Sequence, residues 1–144
     1  MEHDMRKLMI KALNKLGQDA VSVENMVGPG TPDINFIGNW VELKYIQDWP
    51  KRAETKLTID HYTQQQRVWL LRRWYNKGAA WLCLQVSKTR EWLVFDGETA
   101  FRKVCKDGRT AQDHRDIACF IGQSADEVAE YLTKDDNAHF DRLS

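Results

Sequence analysis

Two acids and one amine occur in a short stretch of the sequence, TPDINFIGNWVELK (31–44), at a spacing that could place them in one site. Asp33 precedes Glu42 by nine positions, and Lys44 follows Glu42 by two. Two neighbouring carboxylates repel each other, and a divalent cation is their natural compensator. Carboxylate oxygens favour Mg²⁺ or Mn²⁺ over Zn²⁺, and such an ion can activate water and neutralise charge on a phosphoryl group. Lys44 could position or deprotonate the attacking water, or hold a phosphate oxygen.

These residues lie on two short segments with the alternating pattern of β-strands, separated by Gly38-Asn39, a two-residue hairpin signal. Because side chains alternate along a strand, Glu42 and Lys44 share one face, whereas the other face is apolar. The pairing predicted around this turn sets Phe36 opposite Val41, Asn35 opposite Glu42, and Asp33 opposite Lys44. The alternative is a surface hairpin with a simple Glu–Lys pair, and the apolar opposite face argues against it.

The surrounding sequence predicts a mixed α/β domain with helices around a central sheet. An apolar stripe from Met5 to Leu16 is typical of an amphipathic helix, which Gly17 would end. Further predictions are strands over 20–24, 79–86 and 90–96, a short helix over 98–105, and helices with capping boxes at Thr63/Gln66 and Ser124/Glu127. Segment 46–61 is interpreted as a mobile loop, segment 106–123 has no clear pattern, and the C-terminal residues have the character of a frayed tail.

Composition is that of an ordinary globular protein, with 144 residues and 42% apolar content. No apolar run approaches the roughly 18 residues of a membrane span, and the N-terminus lacks the features of a signal peptide. Three cysteines without paired spacing favour reduced thiols in a cytosolic setting. The net charge is zero, but residues 44–78 hold eight Lys or Arg against three acids, and residues 111–144 hold three against eight. Such asymmetry permits a basic face for nucleic acid, or two ordinary solvated surfaces.

Pro32-Asp33 followed by Glu42-Leu43-Lys44 resembles the motif of the PD-(D/E)XK nuclease superfamily. The flanking segments GPGTPD, TQQQRVWL and GAAWLCLQV look like those of its VRR-NUC branch, particularly the small stand-alone members from phages and bacteria. The resemblance covers about residues 2–96. It implies a single nuclease domain over 1–144, with a restriction-endonuclease-like core and a C-terminal helical extension over about 97–144. The implied location is the cytoplasm, or the host cytoplasm if the protein is phage-encoded.

The resemblance also implies roles for particular residues. Asp33 and Glu42 would bind Mg²⁺ or Mn²⁺ together with the backbone carbonyl of Leu43, and Lys44 would be the catalytic lysine.

A glutamine at the start of the following helix would orient Lys44 or water. Gln64, Gln65 and Gln66 compete for this role; the spacing favours Gln66, although a purely capping role is the alternative. An accessory acid on the first helix would be Glu2, with Glu24 as its rival. The alternative for Glu2 is a simple interaction with the helix dipole.

DNA contacts are expected from segment 49–56, which carries Trp49, Lys51, Arg52 and Lys56. The basic side chains would neutralise phosphates, and Trp49 could wedge or stack at a distorted step. A solvated charged loop is an equal alternative.

The expected function is therefore that of a metal-dependent DNA endonuclease that hydrolyses phosphodiester bonds with metal-activated water. By analogy, the substrate would be branched DNA such as a Holliday junction, and the active form a homodimer. The alternatives are a catalytically silent DNA-binding module of the same fold, a flap or other structure-specific nuclease, a sequence-specific restriction-like enzyme, and a protein–protein adaptor using the acidic segment 111–144.

Overall fold

A six-stranded mixed sheet with helices packed on both faces forms the framework of the protein. The computed structural model describes residues 2–23, 29–36, 38–76 and 78–134, with the side chains of Glu2 and His3 outside that description. The helices are α1 (Glu2–Lys15), α2 (Gln64–Tyr75), α3 (Gly97–Arg102), α4 (Ala111–Ile117) and α5 (Ala125–Lys134). The strands are β1 (Val21–Ser22), β2 (Ile34–Phe36), β3 (Asn39–Ile46), β4 (Ala79–Val86), β5 (Glu91–Asp96) and β6 (Phe120–Gly122).

The strands lie in sequence order across the sheet, and each neighbouring pair is antiparallel except β3 and β4, which are parallel. This arrangement confirms the predicted α/β class with a central sheet flanked by helices. Among the described helices, none combines the length and the apolar character that crossing a membrane requires.

Helix α1 confirms the amphipathic stripe predicted from the sequence. Met5, Met9 and Leu13 are fully buried against the sheet, because they recur on one side of the helix. After the helix, Gly17 adopts a φ of +74°, which is accessible to glycine at no steric cost.

The register of the β2–β3 hairpin differs from the prediction by two positions. Phe36 pairs with Asn39, Asn35 with Trp40, and Ile34 with Val41. The predicted turn at Gly38-Asn39 is therefore wrong, since Asn39 already pairs in the strand, and Gly38 takes the positive φ of the connection. A shift of two keeps every side chain on its predicted face, because the alternation along a strand has a period of two. Continuing this register brings Asp33 opposite Glu42 rather than Lys44.

The two faces of the sheet support two separate cores. Val41 and Leu43 lie in the core beneath α1 and α5. The opposite core, beneath α2 and α3, contains Leu82 and Leu84 of β4, which pair in register with Glu42 and Lys44 of β3. Glu42 and Lys44 thus occupy the α2 face of the sheet, in a row that continues into apolar residues.

Helix α2 begins with the predicted capping box. The Thr63 hydroxyl accepts a hydrogen bond from the Gln66 backbone N–H, and the Gln66 side chain accepts one from the Thr63 N–H. Past the end of α2 at Tyr75, the Gly78 N–H donates to the Arg73 carbonyl at 2.9 Å.

Segment 47–63, which includes the predicted loop 46–61 apart from Ile46 of β3, contains no helix or strand, but it is not a loop detached from the fold. Trp49, Leu57 and Ile59 are buried in the core beneath α2 and α3, so the interpretation as a mobile loop is wrong. These three apolar side chains attach the segment to the sheet, because burying each one removes apolar surface from water.

The C-terminal part of the chain differs from a purely helical extension. Segment 106–123, which had no clear pattern, contains α4 and β6, and β6 pairs antiparallel with β5. Helix α5 begins as predicted, with the Ser124 hydroxyl accepting from the Glu127 N–H. The predicted frayed tail falls mostly on residues 135–144, outside the described residues.

Candidate active site

Asp33, Glu42 and Lys44 come together on the α2 face of the sheet, where β2 begins. Glu42 and Lys44 are only 2% and 4% exposed. The Lys44 ammonium lies 3.3 Å from Glu42 Oε2 and donates a hydrogen bond to the His61 carbonyl at 2.8 Å. The Asp33 carboxyl group lies close enough to raise the pKa of Glu42. The structure therefore brings the three predicted residues into one cluster.

Asp33 occupies the edge of this cluster and remains more accessible, with 18% of its side chain exposed. Its Oδ2 accepts a hydrogen bond from the Leu43 backbone N–H at 2.7 Å. In an extended strand the N–H and C=O of one residue point toward the same edge, so the Leu43 carbonyl also faces the side on which Asp33 lies. Both the carboxylate and the carbonyl predicted as metal ligands are thus on one edge of β3.

Arg6 of α1 also reaches this edge, and sequence reasoning missed it. Its Nη2 donates to Asp33 Oδ1 at 3.2 Å, although α1 packs on the opposite face of the sheet. The signal was present but weak: Arg6 follows Met5 directly and therefore lies at the border of the apolar stripe, where a long side chain can reach around the sheet edge.

The negative charge of Glu42 is only partly compensated by its surroundings. Burial raises the pKa of Glu42 well above its ordinary value, the Asp33 carboxylate raises it further, and the Lys44 ammonium opposes both effects. Two neighbouring carboxylates repel each other when both are ionised. The pair consequently favours uptake of a positive charge, either a proton or a metal cation.

A hard divalent cation fits the donors of this cluster. Carboxylate oxygens and a backbone carbonyl are the ligand types that Mg²⁺ and Mn²⁺ prefer, and Mg²⁺ commonly binds through one or two carboxylates while keeping several waters. Among the described residues, no group of three or more His, Cys, Asp or Glu side chains is arranged to bind a metal. An ion here would therefore depend on two carboxylates, the Leu43 carbonyl and water.

The wall behind Lys44 is formed by the end of segment 47–63 and the start of α2. His61 adopts a φ of +64°, unusual for a non-glycine residue, and its carbonyl accepts from Lys44. The Tyr62 hydroxyl donates to the Ala100 carbonyl at 2.6 Å, and the Arg67 guanidinium lies 4.1 Å from the Tyr62 ring centroid. Burial raises the pKa of Tyr62, the Arg67 guanidinium opposes this effect, and the Glu42 carboxylate adds a smaller increase. This packing fixes the main-chain acceptor of Lys44.

The predicted accessory residues are less clearly connected to the cluster. Gln66 uses its side-chain oxygen to accept from the Thr63 N–H at 2.9 Å, which is the capping role that competed with the catalytic one. Gln64 and Gln65 are exposed. The side chain of Glu2 and the whole of Glu24 lie outside the described residues.

The predicted DNA-contact segment divides into exposed and buried residues. Lys51, Arg52 and Lys56 are exposed, as a phosphate-binding role requires. Trp49 is instead buried, donates its indole N–H to Glu91 at 2.6 Å, and lies 4.9 Å beneath the Arg115 guanidinium. This placement contradicts the predicted stacking of Trp49 on DNA, because the ring would have to leave the core to reach a base.

No protein-family model matches the chain, and comparisons with curated proteins and with solved structures likewise find no match.

Proposed function

We propose that the protein is a metal-dependent DNA endonuclease with a restriction-endonuclease-like core of the PD-(D/E)XK type. The observation that carries this proposal is the burial of Glu42 and Lys44 beside Asp33. Burying an acid and a lysine costs several kcal/mol per ion before compensation, by a general estimate, and apolar residues of similar volume are often at least as stable. The neighbouring positions of β4 are apolar, so the sheet itself has no need of charged residues here.

Asp33, Glu42 and the Leu43 carbonyl would hold Mg²⁺ or Mn²⁺, which when bound supplies charge neutralisation at the phosphate and increases the acidity of water. Lys44 contributes a positioned positive charge. Its ammonium has three N–H donors, and Glu42 and the His61 carbonyl account for two of them. The third can donate to a phosphate oxygen or to the attacking water, which stabilises the charge that develops during hydrolysis.

The rigidity of this lysine supports a positional role. Both of its partners adjoin packed parts of the fold, since Glu42 lies in a central strand and His61 precedes Tyr62, whose partly buried ring stacks with Arg67. A donor that is already oriented needs little reorganisation when the reaction occurs.

The preferred substrate is branched DNA such as a Holliday junction, and the active form is a homodimer, as the family resemblance implies. Two copies of one site can nick two strands symmetrically, which a single site cannot do in one binding event. A flap or other structure-specific nuclease uses the same chemistry and differs only in the DNA that it recognises.

The Arg6–Asp33 ion pair favours a second candidate, a catalytically silent DNA-binding module of the same fold. Arg6 supplies positive charge to Asp33 at 3.2 Å, which is the compensation that a metal ion would otherwise provide. The buried Lys44 argues against this candidate, because a binding module gains nothing from a lysine held inside the sheet.

The experiment that tests the proposal incubates the purified protein with MgCl₂ and a labelled set of four-way junction, flap, fork and linear duplex. Asp33→Asn and Lys44→Met are compared with Lys11→Met, which removes an exposed lysine from α1 on the other side of the sheet. We expect cleavage by the wild type and by Lys11→Met, and loss of cleavage in the two site variants and in EDTA. Paired symmetric nicks in the junction identify a resolvase, whereas cleavage of another substrate keeps the nuclease and excludes the resolvase. Binding without Mg²⁺- or Mn²⁺-dependent cleavage supports the silent module.

A further inference from the structure

Two tryptophans and two arginines form a surface beside the acid–lysine cluster, which we call the arginine–tryptophan patch: Trp40, Trp69, Arg72 and Arg73. The rings of Trp40 and Trp69 meet edge to face, with centroids 5.1 Å apart. The Arg73 guanidinium lies 4.7 Å from the Trp69 centroid and 5.6 Å from that of Trp40. Arg72 is its exposed neighbour on α2.

The fold leaves a specific path for the Arg73 side chain. A Cβ added at Gly78 would lie 2.4 Å from Arg73 Cδ, so only glycine at this position leaves room for the arginine stem. The Gly78 N–H also donates to the Arg73 carbonyl at 2.9 Å. The stem is therefore confined by Gly78 at one end, while the two indole rings hold the guanidinium at the other.

Confinement of this kind prepares an arginine for binding an anion. A guanidinium that stacks on aromatic rings keeps its in-plane N–H groups, which match two oxygens of a phosphate. Since the side chain is already ordered, binding loses less conformational entropy than it would for a freely rotating lysine.

The patch adjoins the proposed active site. Trp40 precedes Glu42 by two positions in β3 and lies on the same face, a separation of about 6.6 Å along the strand. Two adjacent grooves of about 380 Å³ and 220 Å³ follow α2 over the patch. Among the described residues, the polar side chains that line them are Gln64, Gln65, Arg72, Arg73 and Asn76. None of these is acidic, and two are arginines, so the grooves are complementary to a polyanion.

We infer that the arginine–tryptophan patch binds the backbone of a DNA strand, with Arg73 and Arg72 each contacting a phosphate adjacent to the one cleaved. This inference rests on the proposed nuclease function, because DNA is the polyanion that the site would cleave. The amides of Gln64, Gln65 and Asn76 add uncharged donors for sugar and phosphate oxygens along the same groove.

Binding is tested by fluorescence anisotropy with a fluorescein-labelled four-way junction and a linear duplex, in EDTA, over a range of NaCl concentrations. The variant Arg72→Gln/Arg73→Gln is compared with Lys7→Gln/Lys11→Gln, which removes two exposed cations from α1 on the opposite face. We expect the arginine variant to lose about tenfold or more in affinity. The slope of log K against log salt should decrease by about 2 in magnitude, because each neutralised phosphate contributes roughly 0.9. Thermal unfolding of each variant shows whether it is folded.

Gly78→Ala provides a second variant that displaces Arg73 without changing the charge of the protein. We expect it to weaken DNA binding by a smaller factor while leaving the Arg72 contribution intact. An affinity loss in the lysine control equal to that in the arginine variant would overturn the inference, as would unchanged binding in the arginine variant. Equal competition by poly-glutamate at matched charge would also overturn it, because the patch would then bind acidic peptides.

The same measurements separate failure of the patch from failure of the proposed function. If the wild-type protein binds DNA through the patch but cleaves no substrate with Mg²⁺ or Mn²⁺, the proposed nuclease function is contradicted and the binding surface is supported. If DNA binding and cleavage are both unaltered in Arg72→Gln/Arg73→Gln, the inference about the patch is contradicted and the proposed nuclease function is supported.

Discussion

Two carboxylates of this protein each contact one cation, and their pKa values shift in opposite directions. Glu91 of β5 accepts from Arg115 at 2.7 and 2.9 Å and from the Trp49 indole N–H at 2.6 Å. The Arg115 hydrogen bond, with smaller contributions from Thr89 and Trp49, lowers the pKa of Glu91 to about 2. Glu42 of β3 has one ammonium at 3.3 Å and a second carboxyl beside it, and burial raises its pKa.

The opposite pKa shifts distinguish a carboxylate that stabilises the fold, Glu91, from a carboxylate of the candidate active site, Glu42. Glu91 joins segment 47–63, through Trp49, and helix α4, through Arg115, to the edge of β5. Its negative charge is fully satisfied by two-point hydrogen bonding, the strong form of a carboxylate–arginine pair. Glu42 is deeper, is only partly compensated, and has a neighbour of the same charge. An arrangement that burial and repulsion disfavour is the kind that is found at functional sites.

The largest expected effect distinguishes the two cations. Lys44→Met should reduce cleavage by about 100-fold or more, because it removes a positioned positive charge from the reacting phosphate. Arg115→Met should leave the cleavage rate of the folded protein nearly unchanged. Single-turnover cleavage of the best substrate, with circular dichroism to verify folding, measures both. Similar rate losses in the two variants would contradict the assignment of Lys44.

The second prediction concerns the effect of Mg²⁺ on the free energy of unfolding. Saturating Mg²⁺ should increase the free energy of unfolding of the wild type by about 2.7 kcal/mol at 100 times the Kd, because the ion binds only the folded site. Glu42→Gln should abolish this gain, whereas Glu91→Gln should retain it. Urea unfolding with and without MgCl₂, at constant ionic strength, makes the comparison. A gain that persists in Glu42→Gln would show that the ion binds elsewhere.

Glu91→Gln should destabilise the protein by about 1 kcal/mol at pH 7, since hydrogen bonds from a charged partner are lost. The pKa of Glu91 is about 2 in the folded protein, below its ordinary 4.5. Its contribution is therefore present above about pH 4.5 and is lost as the pH falls toward 2. Urea unfolding at pH 7 and at pH 3 should show a smaller difference between wild type and variant at pH 3. A difference that stays constant would contradict the ionic role of Glu91.

The pH dependence that Glu42 causes should have the opposite sign. The pKa of Glu42 is raised, so its stabilising contribution is complete below about pH 4.5 and declines as the pH rises through the folded-state pKa. In EDTA, Glu42→Gln should therefore be more stable than the wild type at pH 8, and this advantage should shrink toward pH 4.5. Asp33 and Lys44 are the charged groups that face Glu42, and Lys44→Met should enlarge the pH dependence.

Much of the framework could be predicted because local chemistry determines it. The alternation in Asn39–Ile46 assigned Glu42 and Lys44 to one face, and the capping boxes at Thr63 and Ser124 located two helix starts. The hairpin register was wrong by two, yet the face assignment was unaffected, since only an odd shift exchanges the faces.

The errors came from contacts between residues distant in the sequence. The segment around Trp49 has a basic composition that is typical of a DNA-contact loop. Only the positions of Glu91 and Arg115 in the structure reveal that Trp49 is buried. Arg6 reaches Asp33 across 27 positions, which no periodicity indicates. Segment 106–123 contains a seven-residue helix and a three-residue strand, both too short for a clear periodic signal.

The outer strands of the sheet are much shorter than the inner ones. β1 has two residues and β6 has three, whereas β3 and β4 have eight each. A sheet that ends in such short strands presents few unpaired backbone groups to another chain, which limits edge-to-edge aggregation. The long hydrogen-bonded ladder that carries Glu42 and Lys44 is therefore shielded from pairing with a second copy of the chain.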